Sequence, residues 1–295
     1  MKMTLAARSP FSLSTVVQSH GWIRLAPFLE DEATGGFTYI DRLASGRVIE
    51  LSVDQAPRGI SIEVEGELSE MESTELVLKA DWMLGLDQDF SSFYALTQDE
   101  PKLFHVEPRA RGRVLRSPTL FEDTVKTILT TNTSWTGTIR MVENLVTQFG
   151  SPSPMDSNRH AFPTPEQLAN ANVEKLRKDT RLGYRAPYVL EVAQSVASGT
   201  FDLESLKTIN LPTPELRKQL LAIKGVGAYA AANLLMILGR YDFIPVDSWA
   251  LKMVSHEWYG GEPVGPAEVE AAFENWGEWK GLAYWFWDWS YQGNE

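Results

Sequence analysis

The chain contains no cysteine among its 295 residues. This absence excludes, within the chain, disulfide bonds, a thiol nucleophile, a thiolate zinc site and a cysteine-ligated iron–sulfur cluster. The four histidines are scattered without the spacing of metal ligands, so we expect no metal and no other resident cofactor. Apolar runs are also short, because none approaches the roughly 18 residues of a membrane span and no signal-type apolar segment follows Met1-Lys2-Met3. We therefore expect a cytoplasmic protein that does not enter a membrane.

Basic residues are outnumbered: 27 lysines and arginines stand against 39 aspartates and glutamates, for a formal net charge of −12. A protein that binds nucleic acid usually has the opposite balance, so the distribution of charge has to be considered. Residues 1–108 carry 18 acidic and 8 basic side chains, and residues 257–295 carry 8 acidic side chains and one lysine. Residues 109–256 carry 18 basic and 13 acidic side chains, a net charge of +5. This basic segment permits a local, salt-dependent contact with phosphates.

Residues 214–238, within the basic segment, have the pattern of a helical hairpin. A predicted helix ends at Ile223-Lys224, the chain turns through Gly225-Val226-Gly227, and an almost wholly apolar helix follows from Ala228 to Leu238. The two glycines allow positive φ angles and leave backbone N–H groups bare at the start of the second helix, where the helix dipole favours an anion. The pattern predicts a helix-hairpin-helix with room for a phosphate.

A carboxylate follows the hairpin at the end of the loop formed by residues 239–247. An extended segment, Phe243–Val246, leads to Asp247, and an amphipathic helix is predicted to begin directly after it. Aspartate is favoured at the N-cap of a helix, so Asp247 could serve as a cap alone. Capping is also compatible with a chemical role, because it would keep the carboxylate ionised and aimed.

The run K-G-V-G-A-Y-A-A-A-N, followed by P-V-D-S-W with its aspartate 14 positions after the asparagine, resembles the helix-hairpin-helix (HhH-GPD) DNA glycosylase superfamily. The resemblance implies a base excision repair enzyme that flips a damaged purine out of double-stranded DNA and hydrolyses its N-glycosidic bond. Asp247 would be the catalytic residue, and Lys224, Gly225, Gly227 and Ala228 would bind a DNA phosphate. A monovalent cation could also bind at the hairpin.

The order of the patterns predicts an α+β fold. Residues 1–108 are expected to form an antiparallel β-sheet domain with flanking helices, one at residues 69–84 and one at residues 90–96. The expected strands are runs of apolar residues separated by turns: Phe11–Val17, Ile23–Phe28, Phe37–Leu43, Val48–Val53 and Ile60–Val64. Residues 109–295 are expected to form the all-α glycosylase core.

Three further site residues come from local resemblances. The segment containing Trp22 is similar to the N-terminal stretch of 8-oxoguanine and alkylpurine glycosylases, so Trp22 could line the base pocket or belong to the sheet core. Asn132 lies in the polar turn T-T-N-T-S-W, where an asparagine of the 8-oxoguanine family fills the space of the flipped base; it could also simply end a helix. The motif L-G-Y-R-A-P-Y-V matches the same family, with Arg185 expected to bind DNA and Tyr184 to pack in the helical core.

The remaining candidates are expected near the base. Strand-cleaving members of the superfamily place a lysine two residues after the second hairpin glycine, where this chain has Tyr229. A phenol cannot form a Schiff base, so the resemblance favours the monofunctional alkylpurine glycosylases, which carry an aromatic residue there. Tyr229 is expected to wall the pocket, unless it is a buried helix residue. In the aromatic C-terminal segment, Tyr284 and Asp288 are further pocket candidates.

Two alternatives remain open at this stage. One is a non-catalytic helix-hairpin-helix DNA-binding protein, which would need the hairpin glycines but not Asp247. The other is a bifunctional 8-oxoguanine glycosylase/lyase that uses a lysine from elsewhere in the chain. The damaged base is also left open, because the hairpin favours the alkylpurine members whereas other motifs favour the 8-oxoguanine members. We expect the protein to be a monomer.

Overall fold

The computed structural model describes residues 1–290 and confirms the α+β class, with a sheet near the N-terminus followed by helices. The strands are β1 Lys2–Ala6, β2 Leu29–Asp31, β3 Gly36–Arg42, β4 Val48–Ala56 and β5 Gly59–Val64. The α-helices are α1 Leu13–Val17, α2 Glu70–Leu84, α3 Ser91–Thr97, α4 Leu120–Thr130, α5 Trp135–Phe149, α6 Pro165–Ala169, α7 Val173–Lys178, α8 Ala186–Ala197, α9 Thr213–Leu221, α10 Ala228–Ile237, α11 Ser248–Trp258, α12 Pro266–Ala272 and α13 Lys280–Phe286.

The chain packs as two compact units, each built from separate segments. Unit 1 contains residues 1–88, 113–209 and 223–225, and unit 2 contains residues 89–112, 210–222 and the chain from residue 226 onward. These units follow packing rather than chain order. The expected domain boundary between residues 108 and 109 therefore stays a prediction.

Unit 1 contains an antiparallel sheet with the strand order β1-β5-β4-β3-β2. The strands β3, β4 and β5 lie within or overlap the predicted runs, and alternate residues of β4 (Ile49, Leu51 and Val53) are buried as a half-buried strand requires. The edge strands β1 and β2 were not predicted. They have five and three residues and pair on one side only, so they carry little apolar alternation for sequence reasoning to detect.

Two of the predicted strands are wrong. Phe11–Val17 contains helix α1, which begins where the Ser12 side chain accepts a hydrogen bond from the amide of Thr15. Ile23–Phe28 overlaps a 3-10 turn at Gly21–Arg24 instead of forming a strand. Short apolar runs are compatible with a buried helix, a buried strand or a turn, and the sequence of such a run does not distinguish them.

Helix α4 carries a buried polar network that joins it to the sheet of unit 1. Its N-cap Thr119 accepts a hydrogen bond from the amide of Glu122 at 3.2 Å. The Glu122 side chain does not complete a capping box with Thr119. It accepts a hydrogen bond from the Tyr39 hydroxyl at 2.6 Å and forms a buried ion pair with Lys126 at 2.6 Å. The carboxylate therefore fixes α4 against β3, which matters because the end of α4 leads directly to Asn132.

Unit 2 contains the two hairpin helices α9 and α10, and the loop that leads to α11. Helix α10 is buried along most of its length and ends before Gly239, whose φ of +76° requires a glycine. The core of unit 2 is rich in aromatic side chains, which come from α3 and α13 and from the segments beside the helices; the buried ones are Phe90, Phe93, Tyr94, Tyr241, Phe273, Tyr284 and Phe286. This packing holds α11, which carries Asp247 at its N-terminus.

The longest α-helices, α2 and α5, contain 15 residues each. Within residues 1–290, no helix has both the length and the apolar character that a bilayer crossing requires.

Candidate active site

Asp247 is the N-cap of α11, as the sequence predicted. Its backbone is extended, and its Oδ1 atom accepts a hydrogen bond from the amide of Ala250 at 2.8 Å. The side chain is exposed, and within residues 1–290 no hydrogen bond to its Oδ2 atom is found. One carboxylate oxygen therefore orients the side chain while the other faces solvent, where it can meet a substrate.

Two phenols of unit 2 lie within electrostatic reach of Asp247. Burial raises the pKa of Tyr229, on α10, and the negative charge of Asp247 raises it further. Burial raises the pKa of Tyr284, on α13, well above its usual value, and the negative charge of Asp247 adds to that effect. The structure thus brings together three residues that the sequence proposed for one site. Both phenols are held in the protonated form, in which they can donate a hydrogen bond.

Trp249 was missed by sequence reasoning, although it lies only two residues after Asp247. Its indole is 47% exposed and meets the rings of Tyr284 and Trp289 edge-on, at centroid distances of 6.2 and 5.5 Å. Tyr284 itself is only 5% exposed. Trp249 is therefore more accessible than Tyr284, and its proximity to Asp247 in the sequence could have indicated it as a candidate.

Asp288 is exposed, and its contacts are with Lys102, elsewhere in unit 2. Its backbone amide donates to the Lys102 carbonyl at 3.1 Å, and the Lys102 ammonium donates to the Asp288 carbonyl at 3.0 Å. Its charge acts on His105 and Arg111, where it offsets part of the pKa decrease that burial causes. Neither contact connects Asp288 with Asp247, so its role at a base pocket stays a prediction.

The hairpin turn uses its two glycines in different ways. Gly225 has a φ of +90°, which strains any residue with a side chain. A β-carbon there would also lie 2.9 Å from the ring of Tyr188, so two separate reasons favour glycine. Gly227 has a φ of −89° and is the N-cap of α10, so it does not use the positive φ that glycine allows. Apart from its chain neighbours, no heavy atom of residues 1–290 lies within 4 Å of a β-carbon built on Gly227. Because Gly227 has no side chain, an anion can closely approach the exposed start of α10 at Ala228.

Lys224 is exposed and forms an ion pair with Glu191 of α8 at 2.7 Å. Both side chains are about half exposed, so this pair is screened by solvent and contributes little to stability. The ammonium remains accessible to a competing anion such as a phosphate.

The turn between α4 and α5 presents Asn132 to solvent. Its φ is +47°, in the left-handed region that few residues other than glycine and asparagine adopt. The Asn132 side-chain amide donates to the Tyr184 hydroxyl at 3.4 Å. The guanidinium of Arg185 donates to the carbonyl oxygens of Thr131 and Asn132, the latter at 3.1 Å. These contacts hold the backbone of the turn in its unusual conformation.

The structure revises two expectations for this turn. Arg185 is 6% exposed and its guanidinium lies 4.5 Å from the centre of the Tyr184 ring, so it supports the turn from within and does not offer its charge to solvent. The ring of Tyr184, which was expected to pack in the helical core, is 49% exposed. Arg185 was expected to be exposed and is buried, whereas Tyr184 was expected to be buried and is exposed; both lie in the short 3-10 turn Gly183–Arg185.

Trp22 is a packed residue of unit 1. Its indole N–H donates to Asp123 Oδ1 at 2.8 Å, its ring meets His20 edge-on at 4.7 Å, and it is 7% exposed. These contacts agree with the alternative in which Trp22 is a core residue of unit 1. A role in binding the base stays a prediction.

Comparison with known proteins assigns the family. Residues 125–278, about half of the chain, match the HhH-GPD superfamily of base excision DNA repair proteins, and the chain belongs to this family. A curated relative, DNA-3-methyladenine glycosylase of Bacillus subtilis (strain 168), is 26% identical over 169 residues, which are 56% of this chain and 55% of the relative. The chain thus spans about half the length of that relative.

Two solved structures share the fold over nearly the whole chain. The structure of MBOgg1 in complex with a low affinity DNA ligand is 26% identical, with a TM-score of 0.74, and the match covers 95% of this chain and 91% of the other. The 3-methyladenine DNA glycosylase of Archaeoglobus fulgidus is 22% identical, with a TM-score of 0.75, and the match covers 97% of both chains. The N-terminal sheet is therefore part of the similarity, together with the helical hairpin.

Proposed function

We propose that this protein is a DNA glycosylase of base excision repair, which flips a damaged base out of duplex DNA and hydrolyses its N-glycosidic bond. The observation that carries the proposal is the state of Asp247. Its carboxylate is exposed, one oxygen is fixed by the amide of Ala250, and the residue follows the helical hairpin that defines its family. A helix cap without a chemical role would not need the neighbouring phenols of Tyr229 and Tyr284.

In the proposed reaction, Asp247 stabilises the positive charge that develops on the sugar as the bond to the base breaks. The Oδ2 atom, which carries no cap hydrogen bond, faces the sugar and orients the attacking water. The proton of that water passes to the carboxylate or to the leaving base, and the products are a free base and an abasic site. The protonated phenols can donate hydrogen bonds to the departing base.

The proposed enzyme is monofunctional. Tyr229 occupies the position at which strand-cleaving relatives carry a lysine, and helix α10 contains no lysine at all. Because no amine nucleophile is present at this position, water is the nucleophile that attacks the sugar carbon.

The proposed substrate is a purine with an electron-poor ring, as produced by alkylation. The exposed indole of Trp249 lies next to the carboxylate in sequence and touches the aromatic ring of Tyr284. Aromatic faces attract positively charged or electron-poor rings by stacking and cation–π interactions. A neutral 8-oxoguanine would gain less from this surface.

The proposed contacts with double-stranded DNA are of two kinds. The backbone amides of Gly225, Gly227 and Ala228 bind a phosphate, with Lys224 adding charge. Asn132 enters the duplex and fills part of the space that the flipped base leaves. We further propose a cytoplasmic monomer without a resident metal cofactor, in line with the absence of cysteine; a monovalent cation at the hairpin remains part of the proposal.

One experiment tests the proposal. Purified protein is incubated with matched duplexes containing 3-methyladenine, 7-methylguanine, hypoxanthine, 8-oxoguanine or uracil, and cleavage is measured with and without alkali. Release of an alkylated purine that needs alkali for strand scission is the expected result. Binding to damaged duplex without release of any base would favour the non-catalytic alternative, and scission without alkali would favour the glycosylase/lyase alternative.

A further inference from the structure

We infer that the segment Ser19–Trp22 is a support for the Asn132 turn, and that Gly21 is a positioning residue that acts on this turn through Trp135. The inference rests on the proposed function of Asn132, because it assigns to an N-terminal segment the task of placing the side chain that enters the duplex. All contacts that carry it lie within unit 1.

Gly21 lies directly against the indole of Trp135. A β-carbon built on Gly21 would be 2.3, 2.8 and 2.9 Å from three carbon atoms of the six-membered ring of that indole, far inside ordinary contact. The backbone of Gly21 is not in the left-handed region, so an alanine would be strained only by this contact. The space beside the Gly21 α-carbon is therefore filled by Trp135.

Trp135 connects this contact to the proposed insertion residue. It is the first residue of α5, and Asn132 lies three positions before it. Between them, the Ser134 hydroxyl accepts a hydrogen bond from the amide of Gly137 at 3.2 Å and fixes the start of the helix. A displacement of the indole therefore acts on the same short turn that presents Asn132.

The same segment also holds the helix that precedes the turn. Trp22 donates to Asp123 of α4 at 2.8 Å, and Asp123 accepts a second hydrogen bond from the amide of Ser117 at 2.9 Å. Ser19 accepts from the amide of Leu115 at 2.9 Å, immediately upstream of α4. The segment thus contacts both helices that flank the Asn132 turn and fixes their starting points.

The Asn132 turn is a conformation that its surroundings must maintain. Its φ of +47° lies in the left-handed region, which asparagine adopts more readily than most residues, and the hydrogen bonds of Arg185 to the carbonyl oxygens of Thr131 and Asn132 hold it there. Adding a methyl group at Gly21 would require Trp135 to move by about 1 Å, the difference between 2.3 Å and an ordinary contact. A displacement of about 1 Å at a group that positions a substrate can reduce a rate on the order of a hundredfold.

The test is a double-mutant cycle with Gly21→Ala, Trp135→Phe and the combination of both. Phenylalanine lacks the outer ring atoms that the new methyl group would meet, so it should relieve the contact. Each variant is assayed on one lesion placed either opposite its normal partner base or opposite an abasic site, and thermal unfolding confirms that each variant folds. Gly21→Ala should lose about tenfold or more on the paired lesion and less than about threefold opposite the abasic site, and the double variant should recover most of the loss.

Two outcomes would overturn the inference. Equal losses on both duplexes would mean that Gly21 supports the fold in general, and a failure of Trp135→Phe to restore the paired activity would remove Trp135 as the connection. Hydrogen exchange at residues 131–134 supplies a readout that does not need catalysis: exchange should be faster in Gly21→Ala and return towards the wild-type rate in the double variant. If the wild-type protein released no base, the proposed function would fail, while the exchange measurement would still decide whether Gly21 positions the turn.

Discussion

Replacement of Asp247 by asparagine separates helix capping from catalysis. The Oδ1 atom of Asp247 accepts from the amide of Ala250 at 2.8 Å, and an asparagine side-chain oxygen can accept the same hydrogen bond. Asparagine is as good an N-cap as aspartate, so the free energy of unfolding should change by less than about 1 kcal/mol. The exposure of the side chain supports this expectation, because no buried charge is removed.

The effect on the reaction should be much larger. The amide has no negative charge to face the developing sugar cation, and loss of such a group costs on the order of a hundredfold in the chemical step. A hundredfold loss corresponds to about 2.7 kcal/mol of transition-state stabilisation. This energy clearly exceeds the expected change in stability, so the two roles can be told apart in one variant.

The assay is single-turnover release of the base from the best substrate of the duplex panel, together with equilibrium binding to the same duplex and thermal unfolding. Asp247→Ala is the matched control, because it removes both the charge and the cap and should also lose about 1 kcal/mol of stability. Asp247→Asn should bind damaged DNA at least as tightly as the wild type. If it folds normally and releases the base at nearly the wild-type rate, Asp247 is only a helix cap and the proposed mechanism is wrong.

Four further results are expected. Borohydride should trap no covalent adduct between the wild-type protein and DNA, since Tyr229 is not an amine; efficient trapping would assign the chemistry to another residue. Asn132→Ala should lose most activity on well-paired lesions and least on mismatched ones, whereas equal losses would indicate a folding role. Lys224→Gln should lower the slope of log affinity against log salt by about one, and Arg185→Gln should leave it unchanged because Arg185 is buried; the reverse result would exchange their roles. Burial raises the pKa of Asp123 from 3.8 to about 6, so the stability it contributes is present below pH 3.8 and is lost as the pH rises through 6. Chemical denaturation should be used to compare the wild type with Asp123→Asn. The difference between their free energies of unfolding (wild type minus variant) should fall by up to about 3 kcal/mol between pH 4 and pH 7. A difference that does not depend on pH would contradict this cause.

Local signals in the sequence determined the part of the fold that carries the candidate chemistry. The hairpin, the end of α10 at Gly239 and the cap at Asp247 depend on glycine conformation and on hydrogen bonds between residues close in the chain. Such interactions are encoded by neighbouring residues, so motif spacing was sufficient to place them. The same reasoning failed for Phe11–Val17, because a short apolar run does not distinguish a helix from a strand until its neighbours are known.

Only the tertiary structure decided which side chains face solvent and which support them. Arg185 and Tyr184 are adjacent in a motif, yet the arginine is buried against the carbonyl oxygens of the Asn132 turn and the tyrosine is exposed. The contact of Gly21 with Trp135 joins residues more than a hundred positions apart, and a missing side chain gives no sequence signal of what fills its place. Residue type and spacing determine local conformation, whereas burial and long-range contact depend on how separate segments pack, which a single sequence does not record.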